Sequence, residues 1–196
     1  MSCQFQGLET LSPADQQRFN KFSRGTYRQT PFTLIHKAFE DCVDRYPDDV
    51  AVEHDGHTLT YQELDRAANV LANTLIRDGL RPGHKVCLVV QRSVHMVIAI
   101  LAVLKCGCQY VPLDGGVVPE TLLSHIVANT RAPFILCLQR YIPKVQACQQ
   151  GATVVVLDTP LSDITSTGWD RPNVRSVPSD GAYVIFTSGS FCSFLS

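Results

Sequence analysis

Apolar residues recur along this chain at helical and strand-like spacings in alternation. Apolar residues three and four positions apart predict helices over residues 33–45, 60–78, 93–105, 119–129 and 142–150. Short apolar runs predict strands over residues 50–53, 57–59, 85–90, 109–112, 134–138, 153–157 and 182–186. Because helices separate most of the strands, the pattern predicts an α/β fold with a mainly parallel sheet flanked by helices.

Local turn signals set several of these boundaries. Asp55-Gly56 has the composition of a tight hairpin between the first two strands. Thr60, with Glu63 three positions later, has the form of a capping box and predicts the start of a helix. Residues 158–180, rich in Pro, Ser and Thr, predict a long loop before the final strand at residues 182–186, which we expect to be buried.

The distribution of polar residues predicts three parts along the chain. Residues 1–32 are polar and predict a linker with one short helix after Ser12. Residues 33–190 carry the alternating helices and strands and are expected to form one domain. Residues 191–196 form a tail that departs from the preceding pattern.

Composition argues against several classes of function. Of the 196 residues, 45% are hydrophobic and 18% are charged, which is typical of a folded protein. The net charge is −1 and no basic stripe is present, so nucleic acid is not expected as a partner. No secretory signal is present, and the most apolar stretch, residues 94–104, is too short to span a bilayer, so we predict no membrane association. The eight cysteines form no CxxC pair, which favours free thiols in a cytoplasmic protein over disulfides or a zinc site.

One loop carries the clearest candidate chemistry. Thr187-Ser188-Gly189-Ser190 directly follows the last apolar run, and such a loop can aim backbone N–H groups and hydroxyls at a phosphate. We therefore name Thr187, Ser188, Gly189 and Ser190 as a partial phosphate-binding loop. The alternative is an ordinary loop, in which Gly and Ser are also common.

Several other candidates favour structural roles. Cys106 and Cys108 flank a glycine at a predicted helix end, where a cysteine packs as a small hydrophobic residue. Lys105 is expected to reach the terminal carbonyls of its helix. His95 is expected to be a buried, hydrogen-bonded histidine within an apolar helix.

Acidic residues are expected to shape turns and solvated faces. Asp114 is expected to fix the turn into Gly115-Gly116. Asp41 and Asp44 resemble a solvated helix face more than paired catalytic carboxylates. No residue is predicted to be catalytic or to bind a metal.

Three motifs occur in one order along the chain. Leu59-Thr60-Tyr61-Gln62-Glu63-Leu64 comes first, Leu104 to Asp114 second, and Tyr183 to Ser190 third. This order resembles the N-terminal part of adenylate-forming enzymes, the AMP-dependent synthetase and ligase superfamily, and in particular the adenylation domain of non-ribosomal peptide synthetases. The second motif ends in Tyr110-Val111-Pro112-Leu113-Asp114, which favours the peptide synthetase branch over acyl-CoA ligases. The resemblance implies that the predicted sheet is an incomplete N-terminal part of the large subdomain of such an enzyme.

The resemblance also implies a reaction. Enzymes of this family, here of secondary metabolism, activate an amino or related carboxylic acid with ATP and Mg²⁺ to an acyl-adenylate. They then pass the acyl group to the phosphopantetheine thiol of a carrier protein. The family's phosphate loop continues after its Thr-Ser-Gly-Ser as Thr-Gly-x-Pro-Lys-Gly, whereas here Phe191-Cys192-Ser193-Phe194 follows, without glycine or cation. We therefore expect this chain to be a truncated adenylation domain that is inactive alone.

Two further hypotheses stay open. A non-catalytic interaction fragment or pseudoenzyme would associate through exposed sheet edges and apolar helix faces. A nucleotide-binding module of another class would bind ATP despite the altered loop.

Overall fold

The computed structural model describes residues 11–23, 25–26, 29–158 and 169–186. The chain divides into two units, residues 1–31 and residues 32–196. In the first unit, α1 (Pro13–Phe22) begins at Ser12, whose Oγ accepts a hydrogen bond from the Asp15 N–H at 3.2 Å. This is the helix predicted after Ser12, while the role of residues 1–32 as a linker stays a prediction.

The second unit contains the elements that the apolar pattern predicts. Its described helices are α2 (Ile35–Arg45), α3 (Tyr61–Arg77), α4 (Val94–Lys105), α5 (Glu120–Thr130) and α6 (Ile142–Cys148). Its described strands are β1 (Val50–His54), β2 (His57–Thr60), β3 (Lys85–Val90), β4 (Gln109–Asp114), β5 (Phe134–Cys137) and β6 (Thr153–Val156). Each agrees with its prediction to within a few residues at its ends. None of the helices in the described ranges combines the length and the apolar character that crossing a bilayer requires.

Two sheets are formed. β1 and β2 make the predicted antiparallel hairpin, and Asp55 and Gly56 at its turn have φ of 50° and 76°. The larger sheet has the strand order β4-β3-β5-β6, and each neighbouring pair is parallel. The predicted parallel sheet flanked by helices is therefore confirmed.

Alternating side chains of the central strands supply the two halves of the core. Val86, Leu88 and Val90 of β3 are buried on the face covered by α3 and α4. Cys87 and Val89 are buried on the opposite face, together with residues of α5 and α6. Full burial of a Val or Leu side chain contributes about 1.5–3 kcal/mol. Because β3 is buried on both faces, its sequence is an unbroken apolar run.

The capping box at the start of α3 is present. The Thr60 N–H donates to Glu63 Oε2 at 2.8 Å, and the Glu63 N–H donates to Thr60 Oγ1 at 3.2 Å. Two backbone N–H groups that the helix itself cannot satisfy thereby gain acceptors. The cap fixes the point where the hairpin ends and α3 begins.

The prediction of a buried final strand at residues 182–186 is wrong. The described residues there form one isolated parallel bridge, between Tyr183 and Tyr110 of β4, rather than a strand. Tyr183 and Ile185 are 54% and 59% exposed, while the alternating residues pack against the core. The segment lies beside β4, so within the described chain only one of its faces is covered.

Candidate functional site

The carboxyl ends of the four parallel strands lie at one edge of the larger sheet. After β3 the chain turns to α4 on one face, and after β5 it turns to α6 on the other face. Adjacent loops that leave a sheet in opposite directions open a crevice, and ligands of α/β proteins commonly bind in such a crevice. A cleft of about 940 Å³ lies at this position.

Two guanidinium groups line the cleft. Arg92 follows β3 and Arg140 follows β5, so the two residues come from the two loops that diverge. Both residues are exposed, and neither forms an ion pair with a carboxylate within residues 29–158 and 169–186. The Arg140 guanidinium lies 5.1 Å from the centre of the Tyr141 ring, a distance at which the ring attracts the cation. Guanidinium groups bind carboxylates and phosphates through paired hydrogen bonds, so this pair suits an anionic ligand.

Two carboxylates at the cleft are engaged by the backbone. Asp114 Oδ1 accepts a hydrogen bond from the Gly116 N–H at 2.8 Å, which confirms that Asp114 fixes the turn after β4. Asp158 Oδ1 accepts one from the Gln139 N–H at 2.6 Å. Within the described ranges, no group of three or more His, Cys, Asp or Glu side chains is placed to hold a metal ion.

Histidines form part of the cleft wall. His54 and His57 come from the first hairpin and His95 from the first turn of α4. His54 Nδ1 lies 3.4 Å from Asp55 Oδ2. His95 is half-buried, and its imidazole has no hydrogen-bond partner in the part of the chain that the structure describes, so its prediction as a buried, hydrogen-bonded histidine is wrong. The reason is its position in α4, because the first turn of that helix faces the cleft and not the core.

The loop between β4 and α5 is held tightly at the edge of the sheet. A Cβ on Gly115 would lie 2.5 Å from the Tyr141 ring, so a side chain at that position would require a shift. Lys144 Nζ donates to the carbonyl oxygens of Gly115 and Val118 at 2.7 and 2.9 Å. A cation on α6 therefore fixes the backbone of this loop.

The predicted phosphate loop, Thr187-Ser188-Gly189-Ser190, lies outside the described residues. The segment just before it is hydrogen-bonded to β4. The Tyr110 N–H donates to the Ala182 carbonyl at 3.1 Å, and the Val184 N–H donates to the Tyr110 carbonyl at 3.0 Å. Because the bridge is parallel, residues 182–186 run toward the same carboxyl edge as the cleft.

The two cysteines after α4 are structural, as predicted. Cys106 and Cys108 are 1% and 2% exposed. Burial raises the pKa of the Cys108 thiol to about 11 and raises that of Cys106 as well. The Cys108 thiol donates to the Arg81 carbonyl at 3.1 Å. These thiols are poor nucleophiles at neutral pH.

Two charged residues have partners that the sequence did not indicate. Lys105 does not reach the helix carbonyls, because its Nζ lies 2.6 Å from Glu40 Oε1 and 2.8 Å from Asp65 Oδ1 in a buried position. Asp44, expected on a solvated face, forms an ion pair with Arg171 at 2.6 Å. The partners in each pair are tens of positions apart, so no local pattern could reveal them.

Comparison with known proteins adds independent information. The sequence matches the model of the AMP-binding enzyme family over residues 39–190. It is 34% identical over 183 residues to adenylate-forming reductase 06235 of Coprinopsis cinerea, an alignment that covers 93% of this chain and 18% of the reductase. It is 38% identical over 156 residues to surfactin synthase subunit 2 of Bacillus subtilis, covering 80% of this chain and 4% of the synthase.

A solved structure shows the same fold. This is the non-ribosomal peptide synthetase FmoA3 bound to AMPPNP, with a TM-score of 0.77 and 29% identity over 91% of this chain and 18% of that chain. The chain thus spans less than a fifth of the length of these three relatives. Its motifs, its parallel sheet and the match over residues 39–190 lead to one assignment. The chain belongs to the AMP-binding enzyme family and is similar there to the adenylation domains of non-ribosomal peptide synthetases.

Proposed function

We propose that residues 39–190 serve in the adenylation of a carboxylic acid, specifically an amino acid, by ATP. A carboxylate oxygen bonds to the α-phosphorus of ATP, the bond from that phosphorus to the bridging oxygen of the β-phosphate breaks, and pyrophosphate leaves. The carbonyl carbon of the acyl-adenylate is then attacked by a carrier-bound phosphopantetheine thiol, and AMP leaves. Family membership supports the first step, and the likeness to peptide synthetases supports the amino acid and the carrier.

The observation that carries the proposal is the course of residues 182–186. They are hydrogen-bonded parallel to β4 and run toward the carboxyl edge of the sheet, and Thr187-Ser188-Gly189-Ser190 follows directly in the sequence. Hydroxyls and backbone N–H groups in such a loop suit the phosphates of ATP. We propose that Thr187 to Ser190 make these contacts.

The cleft supports a second, anionic contact. Arg92 and Arg140 lie at its rim without carboxylate partners in the described ranges, while Asp114 and Asp158 accept hydrogen bonds from the backbone. Adenylation brings a carboxylate to a triphosphate, and both are anions that positioned cations stabilise. We propose that the two arginines bind a phosphate group, either of the nucleotide or of the phosphopantetheine.

A chimera tests the adenylation proposal. Residues 39–190 would replace the matching stretch of surfactin synthase subunit 2, so that the relative's own sequence follows Ser190. We expect amino-acid-dependent exchange of radiolabelled pyrophosphate into ATP, lost when Thr187 and Ser188 become alanine and retained in the control Thr121→Ala on the exposed face of α5. A folded chimera that neither binds ATP nor catalyses exchange would overturn the proposal.

The 196-residue chain by itself is proposed to be inactive. Phe191-Cys192-Ser193-Phe194 supplies no glycine for close approach of the backbone to a phosphate and no cation for its charge. The purified chain is expected to show no substrate-dependent exchange above the background without amino acid. Robust exchange would contradict this part of the proposal.

An interaction role without catalysis is the second candidate. Tyr183 and Ile185 expose an apolar face beside β4, 54% and 59% exposed respectively. Uncovered apolar residues at a sheet edge favour pairing with another chain. Size-exclusion chromatography with light scattering is expected to show concentration-dependent association that Tyr183→Ser with Ile185→Ser reduces. A stable monomer at all concentrations would exclude it.

A cytoplasmic location is also a proposal. The described cysteines at positions 42, 87, 106, 108, 137 and 148 are all free thiols. Free thiols persist in reducing compartments. Cell fractionation is expected to place the chain with cytoplasmic markers, and recovery in a secreted fraction would contradict it.

A further inference from the structure

Residues 169–186, which we call the strap, cross the α3–α4 side of the second unit before they reach β4. Apart from the bridge at Tyr183, the described strap has no regular secondary structure. Its position therefore depends on contacts with side chains. The shortest of these contacts joins Arg171 to a carboxylate on α2, and a second carboxylate lies on α3.

One buried cation joins the three helices under the strap. Lys105, at the end of α4, has a side chain that is 1% exposed. Its Nζ lies 2.6 Å from Glu40 Oε1 on α2 and 2.8 Å from Asp65 Oδ1 on α3. Glu40 Oε2 also lies 2.7 Å from Lys37 Nζ. Both buried carboxylates are therefore neutralised before the strap contributes any charge.

Arg171 of the strap extends this cluster to the surface. Its Nη2 and Nη1 bind the two carboxylate oxygens of Asp44 at 2.6 and 3.2 Å. Its Nε lies 3.4 Å from Asp65 Oδ2, and its Nη2 also donates to the Glu40 carbonyl at 3.3 Å. The planar guanidinium thus makes two hydrogen bonds to one carboxylate on α2 while it also reaches α3, and an ammonium group lacks this paired donor geometry.

Neighbouring strap residues are fixed on α3 as well. Asn69 Nδ2 donates to the Trp169 carbonyl at 2.9 Å, and Asn73 Nδ2 donates to the Asp170 carbonyl at 2.9 Å. The Arg66 guanidinium lies 5.1 Å from the centre of the Trp169 ring. The start of the strap is therefore held at several points along one helix.

The middle of the strap packs where α4 ends. A Cβ on Gly107 would lie 3.2 Å from Val174 Cγ1 and 3.3 Å from Ser176 Oγ, so the strap approaches the backbone closely. From there it reaches Ala182 and Val184, which are hydrogen-bonded to Tyr110. Between Arg171 and residues 182–186 the strap is thus held at Gly107, and we expect a shift at its start to disturb this packing and the bonds to Tyr110.

We propose that Arg171 is a positioning residue: its ion pairs with Asp44 and Asp65 hold the strap in the register that delivers residues 182–186 to the edge of β4. Without Arg171, Asp65 and Glu40 keep Lys105 as a partner, so no buried charge is left unpaired. The consequence is a loosened strap over an intact core. The inference rests on the proposed function only in that the strap leads to the phosphate loop at Thr187.

Hydrogen exchange of the 196-residue chain tests the inference without any ligand. In Arg171→Gln, exchange at the amides of Val184 and Tyr110 is expected to rise about tenfold or more, while exchange at Leu88 and Leu136 in the core stays unchanged. Arg171→Lys is expected to restore part of the protection, because it keeps the charge but not the paired hydrogen bonds. Arg175→Gln, at an exposed arginine of the strap with no ion pair in the described chain, is the matched control.

Two results would overturn the inference: unchanged exchange at Val184 and Tyr110, or an equal rise at the core amides. The chimera separates this from the proposed function. There Arg171→Gln is expected to raise the KM for ATP about tenfold relative to Arg175→Gln, a factor that corresponds to about 1.4 kcal/mol. An unchanged KM would refute the role of Arg171 in presenting the loop, whereas a chimera without any exchange would refute adenylation and leave the hydrogen-exchange result standing.

Discussion

Cysteine side chains differ in burial along this chain, and we expect that difference to set their reactivity. Burial raises the pKa of Cys87, Cys108 and Cys137 to about 11 in each case. An ordinary thiol has a pKa near 8.5. At pH 8 the thiolate fraction of each of these three thiols is therefore at least about a hundredfold lower than that of an ordinary thiol. Among the six described cysteines, iodoacetamide is expected to label the half-buried Cys42 first, as measured by peptide mass spectrometry.

The control for this labelling is the denatured chain, in which all of these thiols should react at similar rates. Native labelling of Cys87 as fast as that of Cys42 would show that the β3 face is open to solvent. That outcome would contradict the burial of Cys87, which is 0% exposed.

A buried histidine, His36, is expected to make the stability depend on pH near neutrality. His36 on α2 is 6% exposed, and its burial lowers its pKa, with Lys37 and Lys105 acting in the same direction and Glu40 opposing them. In the unfolded chain this histidine has the ordinary pKa of about 6.5. Below that pH the unfolded chain therefore binds more protons than the folded chain. The contribution of His36 to the free energy of unfolding is thus expected to be fully present above about pH 6.5. It is expected to be lost as the pH decreases toward the lowered pKa of the folded state.

Replacing this histidine should remove that dependence. In His36→Gln the free energy of unfolding, measured with denaturant, should vary less between pH 7 and pH 5.5 than in the parent chain. His57→Gln, at an exposed position, is the matched control and should keep the parent's slope. Equal slopes in all three proteins would show that His36 is not the group responsible.

The loop between β4 and α5 shows how one element limits the side chains of another. A methyl group on Gly115 would lie 2.5 Å from the Tyr141 ring, so Gly115→Ala is expected to lower the free energy of unfolding by about 1–3 kcal/mol. Gly25→Ala, at a glycine with open space around it, is the control and should have little effect. Chemical denaturation measures both variants.

A second substitution tests the cause of that loss. If the Tyr141 ring is the obstacle, Gly115→Ala in a Tyr141→Ala background should cost less than in the parent chain. Additive losses would mean that the strain at Gly115 arises elsewhere.

Local patterns predict the elements well because the main determinants of helices and strands are close in sequence. The Thr60 capping box and the apolar period of α3 both act within a few residues, and both predictions are confirmed. The segment at residues 182–186 has the composition of a buried strand, but its edge position, which leaves Tyr183 exposed, depends on the strand order. The composition of a segment indicates which residues can be buried, but the position of the segment in the sheet determines which of them are buried.

Local sequence patterns likewise reveal only part of the candidate site. Thr187 to Ser190 stand out because glycine and hydroxyl residues cluster locally, and their phosphate contact stays a prediction. Arg92 and Arg140 are 48 positions apart and line one cleft only because β3 and β5 are neighbours in the sheet. Sequence reasoning missed both arginines, and only the strand order β4-β3-β5-β6 could have indicated them.

At the scale of the whole second unit, one charged residue joins the helical layer. Lys105 of α4 forms ion pairs with Glu40 on α2 and with Asp65 on α3, and all three side chains are less than a tenth exposed. A buried ion pair adds little by itself, because bringing its charges out of water offsets their attraction. Removing one partner is different, since the remaining charge is left buried and unpaired.

Lys105→Met is therefore expected to lower the free energy of unfolding by about 3–5 kcal/mol at pH 7. Lys37→Met is the matched control, because Lys37 contacts the same Glu40 carboxylate but is 51% exposed, and its loss should cost at most about 1 kcal/mol.

Burial alone would raise the pKa of Glu40, but hydrogen bonds and charges from Lys105 and Lys37 outweigh it and lower the pKa below the usual 4.5. The stability from Glu40 is thus present above about pH 4.5 and lost as the pH falls through the lowered pKa. The loss of stability in Lys105→Met should become smaller on acidification, because protonated Glu40 is no longer a buried charge. A loss that does not depend on pH would show that lost packing, and not charge, is the cause.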